Sequence, residues 1–197
     1  MRTKIFWLLL LFVSIATQAQ DLIQFKLQRN GLFATEDGKS YIVVEYEGKT
    51  AQELYSMVKS NVIKLYKSPK DEMSENEPNS ISIFALSDIF DYAYIFGGGL
   101  MSYSAYYNLV FHFKDGKIKV DAPMISPNLN VSSTGSILPR TFSSLIGRWY
   151  DKKGNLKKKR IENVQKVERL FNYPINYLLQ ENNVLEYNND ELTEEDW

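Results

Sequence analysis

The clearest periodic stretch lies between Thr50 and Leu65. Ala51, Leu54, Tyr55, Val58, Val62 and Leu65 recur there at helical spacing. The six fall within about a third of the helix circumference, the pattern of a helix laid on a flat apolar surface such as a sheet. Thr50-Ala51-Gln52-Glu53 is a capping box, in which the Thr50 hydroxyl caps the backbone at Glu53 and the Glu53 carboxylate reaches back. Ser68-Pro69 should end this helix.

On either side of it the period changes to two. Tyr41 to Tyr46 is a β-branched and aromatic run closed by Gly48, and reads as a strand. Ile81 to Leu86, Tyr92 to Phe96 and Ser102 to Phe113 read likewise. Lys114-Asp115-Gly116-Lys117 then marks a hairpin with a type I′ turn, and Ile118 to Val120 is the return strand, stopped by Pro123. Before the first of these, Phe25 and Leu27 alternate with polar neighbours as a short strand, with turns at Asn30-Gly31 and Asp37-Gly38.

Three stretches lack this regularity. Residues 67–80 are polar, carry two prolines and read as a surface loop, while residues 122–146, rich in Pro, Ser, Asn and Gly, predict no definite element. Trp149 to Leu156 reads as a small second hairpin. From Lys157 the pattern turns helical, with Ile161, Val164, Val167 and Phe171 on one face; Pro174 should kink that helix or start another at Tyr177-Leu178-Leu179. The order is strand, helix, four strands as a meander, then a helical C-terminus. That order predicts an α+β fold, an antiparallel sheet with helices on one face, as a single domain over residues 20–186.

The N-terminus carries a different pattern. Arg2 and Lys4 precede an apolar run from Ile5 to Ile15 broken only by Ser14, followed by Ala16-Thr17-Gln18-Ala19. A basic start, a short apolar run and small residues before a cut after Ala19 predict a cleaved secretory signal peptide over residues 1–19. The run is too short for a membrane span, which needs ~20 residues. The expectation is therefore a soluble exported protein, periplasmic or secreted, with no stable membrane insertion after cleavage.

Composition narrows the chemistry. The chain has no cysteine, which excludes disulfides, thiol nucleophiles and the cysteine-dependent route to a lipid anchor. Its 23 basic and 24 acidic residues are not the footprint of a nucleic-acid binder. Thirteen Tyr and eleven Phe are the unusual feature for this length. The end, Glu186 to Trp197, is acidic and predicts a frayed tail over residues 187–197.

Tyr41 to Glu47, the capped helix from Thr50 to Tyr66, Ile81 to Leu86, and above all Tyr107 to Val120 carry a family resemblance. In these pieces the chain resembles an uncharacterised family of exported bacterial proteins, a domain of unknown function with a TBP-like fold. The resemblance covers residues 35–122. It implies a curved antiparallel sheet with helices on its convex side, in the order β-α-β-β-β-β-α. It carries no catalytic or binding residue across, and a fold name that suggests DNA does not imply that function.

Few constellations carry chemistry. Gly97-Gly98-Gly99 lacks the lysine and hydroxyl of a phosphate loop and reads as a turn. His112 is the only histidine; it alternates with Phe111 and Phe113, faces away from the apolar side and cannot build a multi-histidine metal site. No G-x-S-x-G elbow accompanies it. Asp88 and Asp91 read more readily as turn residues than as paired catalytic acids, and Asn130-Val131-Ser132 as an incidental sequon. Lys152, Lys153, Lys157, Lys158, Lys159 and Arg160 form a basic cluster, read as a solvated face answered by the acidic tail, with anionic lipid headgroups or a polyanion as the other reading.

The best functional lead is aromatic. Tyr92, Tyr94 and Phe96 alternate onto one strand face, and Tyr103, Tyr106 and Tyr107 follow. Exposed together, Tyr92, Tyr94, Phe96, Tyr103 and Tyr106 would form a ligand-binding platform, since tyrosine offers wide contact with a polar tip. The expectation is a non-enzymatic binding or accessory module for an envelope protein or glycan, with no cofactor, no metal and no nucleic acid. The alternatives are a hydrolase-type site near His112 and a structural part of an envelope assembly.

Overall fold

A computed structural model of the chain describes residues 22–95, 99–133 and 141–181, with the backbone alone at 93–95, 99 and 130–133. The expected signal peptide, Phe96, Gly97, Gly98 and the acidic tail lie outside the described residues.

The elements begin with a two-stranded sheet, β1 (Lys26–Leu27) against β2 (Phe33–Ala34). Then come β3 (Tyr41–Glu45) and α1 (Ala51–Leu65). The capping box is formed: Glu53 N–H donates to Thr50 Oγ1 at 3.3 Å, and Thr50 N–H donates to Glu53 Oε2 at 2.8 Å. Residues 69–76 are not the expected loop. Pro69–Glu72 is a one-turn helix, α2, and Met73–Asn76 is a strand, β4. Proline suits the first position of a helix, where its missing N–H costs nothing. β4 pairs antiparallel with β5 (Ser80–Leu86).

The sheet is organised by one long strand. After β6 (Asp91–Ile95) the chain runs through β7 (Gly99–Lys114), 16 residues in all. One edge of β7 pairs with β5 and β6; the other pairs with β8 (Lys117–Asp121) and β9 (Met124–Ser133). β3 lies outside β8, giving the order β3-β8-β7-β5-β4, an open antiparallel sheet rather than a simple meander. The Asp115-Gly116 turn is as expected, with Gly116 at φ 75°, a left-handed conformation that glycine adopts without strain. The stretch that predicted no definite element contains β9 and α3 (Phe142–Gly147).

After α3 an isolated bridge, Tyr150 to Leu156, closes the expected second hairpin. A 3-10 turn, Lys158–Arg160, leads into α4 (Ile161–Leu178). Pro174 neither ends α4 nor starts a new helix; it sits inside the helix with a buried ring. Phe171, Ile175 and Leu178, all fully buried, hold that segment against the core and offset the hydrogen bond a proline cannot make. The expected apolar face holds at Val167 and Phe171, whereas Ile161 is exposed.

Parity along β7 decides which face is covered. Met101, Tyr103, Ala105, Tyr107, Leu109, Phe111 and Phe113 are buried. Leu54, Tyr55, Val58 and Val62 of α1 close over this side, with the Tyr55 ring edge-on to Phe113 at 5.8 Å. Phe171 of α4 meets Tyr107 at 5.2 Å and Phe33 at 5.5 Å, both edge to face. α4 also holds the lead-in segment by its backbone. Asn172 Oδ1 accepts from Phe25 N–H at 2.8 Å and Asn172 Nδ2 donates to Phe25 C=O at 2.8 Å; Asn176 does the same for Ile23. The result is an α+β fold with helices on one face of an unclosed antiparallel sheet.

Candidate functional site

The face of the sheet opposite α1 is open. Its β7 residues are even-numbered, Leu100, Ser102, Tyr106, Asn108, Val110 and His112, while Ser104 of the same parity is buried. Cross-strand register assembles neighbours around them. Phe84 and Met124 flank Asn108, and Leu86 flanks Tyr106. Phe84 and Met124 are each 54% exposed, Leu86 44% and Tyr106 43%. The Phe84 and Tyr106 rings stack with centroids 5.3 Å apart and planes 4° from parallel. Ser82 donates to Asn108 Oδ1 at 2.7 Å, which fixes the one polar side chain between the rings and Met124.

Further along β7 the same face becomes polar. Ser80, His112, Lys119 and Val43 form one row across β5, β7, β8 and β3. The His112 Nε2 and Asp121 Oδ2 atoms are 2.9 Å apart. Lys119 Nζ lies 2.8 Å from Asp121 Oδ1 and 5.1 Å from the Tyr41 ring centroid. Partial burial pushes the Asp121 carboxyl up; hydrogen bonds from Lys119 and His112 outweigh it and hold the group below the ordinary aspartate range. A lowered carboxyl pKa stabilises the fold above the unfolded value, and that contribution is lost as pH falls through the folded value. The melting-temperature gap between the wild type and Asp121→Asn should therefore be constant through neutral pH and close in the acid range. A gap that widened on acidification would contradict this assignment.

The aromatic residues expected to form one platform are divided by this geometry. Tyr106 is on the open face. Tyr92, 37% exposed, pairs in register with Ser102 on the same face, and Tyr94 pairs with Leu100. Tyr103 is fully buried in the core on the other side of β7, with its hydroxyl 3.9 Å from Met101 Sδ. It is not part of an exposed surface. Phe84, Leu86 and Met124 were not among the expected residues. The signal for the first two was in β5: apolar side chains at Ile81, Ile83 and Ala85, and again at Phe84 and Leu86 on the other parity. A strand apolar on both parities has something to cover on both faces.

The other candidates fall into place separately. His112 faces away from the core, as its alternation implied. Ser80 lies across from it in register, but among the described residues the two are not hydrogen-bonded, and the pair sits on an open strand surface rather than in a cleft. Asp88 is exposed, while Asp91 is buried on β6. Arg160 Nη1 reaches Asp91 Oδ1 at 3.4 Å, and Asn163 Nδ2 donates to the same oxygen at 3.2 Å. Burial pushes the Asp91 carboxyl up, partly offset by the Tyr92 N–H and Arg160. These contacts make Asp91 a clasp between β6 and the start of α4. Among the described residues no group of three acidic or histidine side chains is placed to hold a metal, and no helix is long and apolar enough to cross a membrane.

The open antiparallel sheet with its helices on one face is an α+β architecture. Among solved structures the chain is similar to a TBP-like protein from Parabacteroides distasonis, 11% identical over 68% of this chain and 83% of that chain, with a TM-score of 0.44. It is also similar to a DUF4468 family protein from Bacteroides ovatus, 11% identical over 74% of this chain and 88% of that chain, with a TM-score of 0.43. These likenesses bring no ligand, activity or partner with them. No family model and no curated protein matches the chain.

Proposed function

We propose that the protein is an exported, non-enzymatic binding module that holds another envelope protein against its open sheet face. The observation that carries this reading is the cluster of Phe84, Leu86, Tyr106 and Met124, contiguous across β5, β7 and β9 and left in water. A contiguous exposed apolar patch is the usual mark of an interaction surface. The chemistry of the patch favours a polypeptide over a sugar. Leucine and methionine stand beside the rings, the two rings stack on each other, and Asn108 is already engaged by Ser82. A sugar platform needs free polar groups around its rings; a protein partner needs apolar area with a polar rim, which His112, Lys119 and Asp121 supply. Export rests on the pattern of residues 1–19.

Capture from envelope extract tests this with the wild type and the double variant Phe84→Ser/Tyr106→Ser side by side. Truncating central aromatic anchors typically costs ~2 kcal/mol or more each, so the double variant should lose partner binding by at least about a hundredfold. The same retained proteins with both chains would sink the reading. So would a glycan array that gives a specific signal while no protein is retained.

A further inference from the structure

A second surface lies apart from the sheet face and is independent of the function proposed for it. Residues 148–160 carry seven cations against the single carboxylate of Asp151, in a chain whose net charge is −1. Asp151 is spent on its own turn: Oδ1 accepts from the N–H groups of Lys153 and Asn155 at 2.8 and 2.9 Å. Arg160 turns inward to Asp91, and Lys157 Nζ donates to the Arg148 carbonyl at 2.6 Å. Lys152, Lys153, Lys158 and Lys159 remain exposed, and among the described residues they stand in no ion pair. The fold brings their two segments together, since the Tyr150–Leu156 bridge and the Lys157 N–H to Trp149 C=O bond set the 3-10 turn beside the hairpin.

The β1–β2 turn is joined to this end of the molecule. Arg29, itself exposed, packs so closely on Gly154 that a Cβ there would meet its Nη1 at 3.0 Å. On the same turn Gly31 packs against Phe142 and Ser143, and Leu32 projects into water at 64% exposure. An exposed leucine on a turn that adjoins a field of lysines is the arrangement of a protein that rests on a charged bilayer: the cations meet headgroups and the apolar tip enters the interface.

We infer that this end of the molecule docks on the surface of an anionic lipid bilayer, with Arg29, Lys152, Lys153, Lys158 and Lys159 against the headgroups and Leu32 in the interfacial layer. This contact is peripheral and leaves the chain outside the hydrocarbon core. It also gives the basic cluster a role that the acidic tail, which lies outside the described residues, does not have to supply.

Co-sedimentation of the chain from Gln20 onward, the form left after the expected cleavage, with phosphatidylglycerol-containing vesicles and with pure phosphatidylcholine vesicles tests it. The apolar run Ile5 to Ile15 is left out because it would carry every variant onto both kinds of vesicle. Binding should require the anionic lipid and weaken as salt is raised. Each of Lys152→Gln, Lys153→Gln, Lys158→Gln and Lys159→Gln should weaken it by about fivefold. Leu32→Ser should weaken it without changing the salt dependence. These side chains are exposed, so melting temperatures confirm that the variants fold. Equal binding to both vesicle types would overturn the inference, as would a quadruple lysine variant that binds like the wild type. Binding to inorganic polyphosphate in solution with no vesicle binding would overturn it as well.

Discussion

Asn172→Leu should lower the melting temperature by roughly 6–12 °C, although leucine is the better helix former. Asn172 is buried on α4 and supplies both a donor and an acceptor to the backbone of Phe25, at 2.8 Å each. It therefore does for the lead-in segment what a neighbouring strand would do. Leucine fills the same space and removes both partners, leaving the N–H and C=O of Phe25 unsatisfied beside a fully buried side chain. An unsatisfied buried backbone group costs about 1–3 kcal/mol, so the pair together costs about 3 kcal/mol after local relaxation. Asn176→Ala should cost less, because Ile23 and Asn176 meet nearer the surface. Thermal unfolding followed by circular dichroism measures both. A neutral Asn172→Leu would mean that the lead-in segment is not part of the cooperative unit.

Phe171→Ala should destabilise the protein by about 3–5 kcal/mol, the range for deleting a buried aromatic ring. Phe171 is fully buried and meets Phe33 and Tyr107 edge to face, so one ring joins the small sheet, the main sheet and α4. Its removal opens a cavity among three elements that cannot all close on it at once. Phe171→Leu retains most of the volume and should recover most of the loss in chemical denaturation. If alanine and leucine proved equally mild, α4 would be packed by its remaining apolar residues and the ring contacts would carry little.

Local signals were readable in the sequence wherever a single segment contained them. The capping box at Thr50, the six-residue apolar face of α1 and the Asp115-Gly116 turn each need only a few neighbouring residues. The elements that were missed depend on distant partners. β4, Met73 to Asn76, is an edge strand whose partner is β5, and most of its side chains are in water. An edge strand with no buried face shows no alternation, and polar edges are what keep sheets from pairing further. β9 contains Pro127, which is tolerated on an edge, and its register with β7 shifts between Ala105 and Tyr107. Pro174 stays helical because of buried contacts that its own segment does not reveal.

The same distinction runs through the functional face. Alternation placed His112 on the outer side of β7 correctly. Tyr103 and Tyr106 are neighbours in sequence, yet they differ by an odd number of residues on one strand and so project to opposite faces. Tyr106 stacks on Phe84 in the open, and Tyr103 fills the core. Met124 arrives on this face through the pairing of β9 with β7, which no local pattern announces.

A photo-crosslinking side chain placed at Tyr106, compared with one at the exposed Gln52 of α1, tests the open sheet face most directly. Irradiated in cells, the chain carrying it at position 106 should yield a discrete adduct with another envelope protein, and the chain carrying it at position 52 should not. Adducts at both positions alike, or none at position 106 in a chain that is exported and folded, would contradict a binding role for that face.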